Sequence, residues 1–211
     1  MVVLSTFFIQ IKAQLSDVKL GDVLVVNGVK GIVFQIDEDG CHGTMMSVKA
    51  FRSKQNAYSV KSSYLKGLKM SSRTDGLKNT YEVFEKSYSE RIPIKNYPVF
   101  QWCWSLGQGW YIPSVEQLEI FVNYWLGNTV ETDWEEDDVV ADDIPHTQKV
   151  NQILLDAGGI PFLNGVYTST MDENGKVSVY NYNKQKKFWQ FKQVNPMKMD
   201  ELSVGRAFYD F

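Results

Sequence analysis

"GWYIPSVEQLEIF", residues 109–121, decides how this chain folds. Ser114 and Gln117 form an S-x-x-Q capping box, and Pro113 pushes Ile112 toward extended backbone, so a helix starts at Ser114. Val115, Leu118, Val122 and Trp125 recur at helical spacing, with Phe121 widening the stripe, while Glu116 and Glu119 fall on the wet face. Those glutamates also complement the positive end of the helix dipole. Just ahead of the helix, bulky rings crowd a tight turn. For Trp110, and for Trp102 and Trp104 upstream, core packing is the preferred reading over ligand binding.

Working toward the amino terminus, "IPIKNYPVFQWCWSLGQG" suits a short buried helix that begins at Pro98 and ends at Gly107. "DGLKNTYEVFEKSY" predicts a helix to about Ser87, capped by Asp75 or by Asn79 with Glu82. The stretch from Ala50 to Ser72 is polar and irregular and reads as a long loop. "LGDVLVVNGVKGIVFQIDEDGCHGTMMSVKA" predicts a β-meander over about 20–49. Its strands run from about Asp22 to Val26, Gly31 to Ile36 and Gly43 to Val48, turned at Asn27-Gly28 and Asp39-Gly40. The opening "MVVLSTFFIQIKAQ", residues 1–14, reads as a secretory signal ending near Ala13 or Gln14, the alternative being a buried first strand. Residues 15–211 then form a single domain.

Toward the carboxyl terminus, eight carboxylates between Glu131 and Asp143 mark a solvated insertion in preference to an oxygen-ligand calcium site, since no D-x-D-x-D-G loop is present. From Thr147, Val150, Ile153, Leu154 and Ala157 line one face of a helix stopped by Gly158-Gly159. Four strands follow: Val166 to Thr170, Val177 to Tyr182, Phe188 to Lys192 and Val204 to Tyr209. The order strands, helices, strands lacks β-α-β alternation and predicts an α+β fold with an antiparallel sheet.

With 22 basic and 25 acidic residues the net charge is -3, which argues against nucleic acid as a partner. The apolar opening run is too short for a transmembrane segment. No phosphate-cradling glycine loop, no Cys-x-x-Cys and no short-spaced zinc ligand set occurs, so neither metal nor cofactor is expected. Cys41 and Cys103 read as two free, mostly buried thiols. Cys41-His42 on a strand would point to opposite faces, which disfavours a nucleophilic pair there. A cysteine-dependent enzyme using Cys103 or Cys41 is the catalytic alternative. Aromatic residues make up 14% of the chain. Tyr180, Tyr182 and Trp189, flanked by Lys184 and other polar residues, are the candidate exposed binding surface, with an ordinary amphipathic hairpin as the competing reading.

"WCWSLGQGWYIPSVEQL", "LLDAGG", "VYTST" and "VGRAF" resemble bacterial domains of the C-type lectin-like superfold, in particular the collagen-like-protein C-terminal (Lcl C-terminal) type of exported gut-bacterial proteins. Trp102, Cys103, Gly107, Gly109, Trp110, Tyr111, Pro113, Ser114 and Leu118 match the first block, and Val204, Arg206, Ala207 and Phe208 match the last. The likeness covers most of residues 18–211. It implies a scaffold whose first and last strands pair, two main helices on the sheet, and long loops that bind a glycan or a surface protein without catalysis. A structural subunit of a surface assembly is the other non-catalytic expectation. The sugar-binding calcium triplets of animal lectins are absent, as is the cysteine pair of the formylglycine-generating relatives.

Overall fold

Asn27 and Gly28 both take positive φ, 54° and 78°, and so turn β1 (Val23–Val26) tightly into β2 (Val29–Ile36). The computed structural model, which describes residues 17–52, 58–127, 145–162, 165–183, 188–197 and 204–211, completes the meander with β3 (Gly43–Ser47). The expected leader at 1–14 and the acidic insertion from Glu131 to Asp143 lie outside the described residues. The stretch expected to be a loop carries β4 (Phe51–Arg52) and a one-turn helix, α1 (Ser62–Leu65). Next come α2 (Gly76–Ser89), a 3-10 turn at Ile94–Asn96, α3 (Pro98–Ser105), α4 (Val115–Trp125) and α5 (Pro145–Asp156). Strands β5 (Val166–Met171), β6 (Val177–Asn183), β7 (Phe188–Val194), β8 (Val204–Gly205) and β9 (Phe208–Asp210) close the chain. The fold is α+β.

Two sheets form, ordered β1-β2-β3-β9 and β4-β8-β5-β6-β7, antiparallel throughout except that β5 and β8 meet in parallel at Val166 and Val204. The strand expected from Val204 to Tyr209 is therefore two strands. Arg206 and Ala207 carry the chain from one sheet to the other, and at this crossover the buried Arg206 side chain donates to backbone carbonyls of the β3 end and of the 160–161 stretch. The first and last strands do not pair. β9 joins β3, leaving β1 at the far edge of its sheet.

Along β2, Ile32 and Phe34 enter one core cluster and Val33 enters the other; Met46 and Met45 of β3 divide in the same way. This sheet is covered on both faces, which explains why its central strand reads as a continuous apolar run, Ile32 to Phe34, instead of alternating. The first core stacks the α4 stripe, Leu118, Phe121 and Trp125, on Phe34, Phe162 and Phe208, with Phe121 edge-on to Phe34 at 5.2 Å. The second gathers Val83 of α2, Phe100 and Cys103 of α3, and Trp110.

The segment from Gly109 to Val115 is where these layers are fastened. Tyr111 exchanges both backbone hydrogen bonds with Phe208 of β9, at 2.9 and 2.8 Å. The Ile112 amide donates to Thr80 Oγ1 of α2 (3.0 Å), and the Pro113 carbonyl accepts from the Ser169 amide of β5 (2.6 Å). The Val115 amide donates to Thr170 Oγ1 (3.1 Å). Tyr111 is tied to β9, Ile112 to α2, and Pro113 and Val115 to β5, so the elbow is a hinge pin of the scaffold. Gly109, at φ +91°, could not be another residue without conflict: an added Cβ would come within 2.6 Å of the Tyr209 ring, which packs on Trp110.

Candidate functional site: an aromatic cleft between α2 and α3

Helix α2 turns Asn79, Thr80 and Val83 inward, which leaves Tyr81, Phe84 and Tyr88 along an outer stripe at helical spacing. Helix α3 buries Val99, Phe100 and Cys103; one residue further round the helix, Trp104 points outward, 60% exposed. The Phe84 and Trp104 rings meet edge-to-face at 4.7 Å, and Tyr81 meets Phe84 edge-on at 5.9 Å. Tyr88 is 90% exposed. Two concavities share the Phe84-Trp104 pair: one of about 750 Å³ reaching Arg91 and Ile92–Ile94, the other of about 320 Å³ reaching Gly107 and Trp110. Trp110 is only 2% exposed, so it walls the smaller concavity as a core ring, with its Nε1 unpartnered.

Among the described residues, Arg91 is the charged one lining this cleft. Its neighbours Lys86 and Glu90 neutralise one another in an ion pair at 2.5 Å. The Ser87 hydroxyl donates to the Ile92 carbonyl at 2.6 Å, which fixes the turn leaving α2. The assembly can therefore stack flat or apolar groups on rings and offer one cation. Among the described residues lining it there is no cysteine, histidine or carboxylate.

The candidate surface read from the hairpin is corrected in part. Tyr180 is 5% exposed and packs on Phe191 at 5.2 Å, with burial raising its hydroxyl pKa; it is a core residue because its position on β6 faces α4 and Phe162. Tyr182 and Trp189 are direct partners in the β6–β7 register, and Lys184 lies outside the described residues. Trp104, expected in the core, is instead bare. Three consecutive residues of a helix cannot share one face, and Cys103 takes the inner position between a half-buried Trp102 and an outward Trp104. That 100° step was the available signal for Trp104. For Tyr88, nothing in the local sequence marked it.

The thiols also divide. Cys103 is buried, and loss of solvent pushes its pKa far up. Cys41, expected to be mostly buried, is exposed. It sits in the turn before β3, not on the strand, with the Asp39 carboxylate accepting from the Cys41 amide (2.8 Å) and pairing with His42 Nδ1. The Cys41 amide bond, ahead of the His42 bond, holds the Asp39 pKa low. A thiol-disulfide dye should titrate one cysteine promptly in the folded protein and the second only after denaturation. Rapid labelling of Cys103 in the folded chain would favour the cysteine-enzyme alternative.

No protein-family model, curated protein or solved structure matches the chain. Among the described residues, no helix is long and apolar enough to cross a membrane.

Proposed function

We propose that the chain is an exported, non-catalytic recognition or adhesion module whose ligand, a carbohydrate or a polypeptide, lies along the α2–α3 cleft. The observation that carries this reading is the exposure of Trp104 and Tyr88 on a concave surface that also holds Phe84 and Arg91. Large rings left in water around a groove lose hydration only when something covers them. A rigid floor beneath supports the reading, since Trp110 and the fastened elbow hold α2 and α3 without depending on a ligand. The resemblance of residues 102–118 to lectin-like exported domains points the same way.

Binding to immobilised glycans and to extracellular-matrix proteins, with and without calcium, tests the proposal. Trp104→Ala should weaken any specific binding by about 2 kcal/mol, roughly thirtyfold, because exposed aromatic anchors dominate such interfaces. Thermal stability should change little. Equal binding by the parent, Trp104→Ala and Tyr88→Ala proteins would leave the cleft without a role and favour a structural subunit.

A further inference from the structure

Resting on the recognition reading above, we infer that the cleft accepts a proline-rich, extended strand of another protein, carrying an acidic residue that meets Arg91. Among the described residues, four groups of the cleft have no hydrogen-bond partner: Trp104 Nε1 and the Arg91 guanidinium, which can only donate, and the hydroxyls of Tyr81 and Tyr88, which can donate or accept. Among the described residues, no carboxylate lines either concavity. A neutral sugar must place a donor at every ring hydroxyl, and only the tyrosine, serine and amide oxygens of the described lining could receive them. A polyproline strand has the opposite character, being rich in carbonyl acceptors and without amide hydrogens, and it needs little ordering to bind. Grooves lined by aromatic rings recognise that conformation. The Phe84-Trp104 ridge, common to both concavities, gives proline rings a seat in each.

Arg91 supplies the second element. It follows the end of α2 with φ +54°, a left-handed position where glycine is the relaxed choice. An arginine held there carries conformational strain, and what it adds in return is an unpaired cation beside Tyr88 and Pro93. These 211 residues contain no proline-rich run. The six prolines are isolated, and the nearest two, Pro93 and Pro98, belong to the cleft wall and to α3.

The test is a fluorescence titration of the full chain with a blocked oligoproline peptide bearing one glutamate, alongside the same peptide bearing lysine, an oligouronate and a neutral oligosaccharide. The glutamate peptide should bind saturably, at least about tenfold tighter than the lysine peptide, and lose at least about tenfold with Trp104→Ala or Tyr88→Ala. Arg91→Gly should erase the preference for glutamate over lysine while raising the melting temperature. Binding of the oligouronate or the neutral sugar in a Trp104-dependent manner, without binding of either peptide, would overturn the proline ligand and keep the cleft as the recognition surface. Equal binding of both peptides would overturn the role of Arg91. If none of the four probes binds with dependence on Trp104 or Tyr88, both this inference and the recognition reading fall.

Discussion

Arg206→Met should lower the unfolding free energy by about 3 kcal/mol or more, read as a shift of the urea midpoint at unchanged slope. The side chain is wholly buried, and its two terminal nitrogens reach four carbonyls: Nη1 donates to Ser47 (3.0 Å) and Val48 (2.6 Å), Nη2 to Ile160 (2.7 Å) and Pro161 (3.1 Å). These bonds clamp the end of β3 and the 160–161 stretch to the strand crossover. Burial, with a smaller contribution from Arg52, pulls the guanidinium down from its ordinary value to about 9. The unfolded chain therefore holds this proton more tightly. The charging cost is fully present below about pH 9 and is relieved as pH rises from there toward the ordinary guanidinium value. Methionine removes that cost, but it leaves four buried acceptors without donors, and at neutral pH the second effect is the larger. Arg206→Lys should also destabilise, because a single ammonium cannot span two pairs of carbonyls. A loss under about 1 kcal/mol for either variant would show that the carbonyls find other donors.

Gln117→Leu should cost about 2–4 kcal/mol, clearly more than the roughly 1 kcal/mol expected of Ser114→Ala. In an ordinary capping box the two residues would matter similarly. Here Gln117 Oε1 accepts from the Ser114 amide (3.1 Å) and also from the amide of Gly76, the first residue of α2, at 2.8 Å. Its Nε2 donates to the Tyr111 hydroxyl (3.0 Å), which donates to Asp210 at 2.7 Å. One amide thus joins α4, α2, the elbow and β9. Leucine would strand two backbone donors and leave Tyr111 without one of its partners, and an α2 released at its first turn would loosen the aromatic cleft. Chemical denaturation of the two variants side by side decides the matter; equal losses would reduce Gln117 to a local cap.

Much of the scaffold was legible from short stretches. Asn27-Gly28 specified its hairpin, Ser114 and Gln117 their helix start, and Asp75 its cap, because each rests on interactions within about four residues. The stripes of α4 and α5 likewise faced the core as their periodicity required. The candidate site was hardly legible. Trp104 and Trp110 stand in equally aromatic surroundings, yet one is bare and the other walled in. The difference lies in what α2 and β9 bring against them from far along the chain.

Local chemistry, then, set the longer helices, the Asn27-Gly28 hairpin and the α+β class from the amino-acid order alone. Tertiary structure alone decided that the run after Val204 would divide between two sheets, that Thr44 would find Asp210 at 3.0 Å across 166 positions, and that Tyr180 would be sealed while Trp104 stayed in water. The physical reason is that burial is a property of pairs of surfaces. A residue's neighbours in sequence fix which way it points, but only the element that arrives to cover it determines whether it meets protein or solvent.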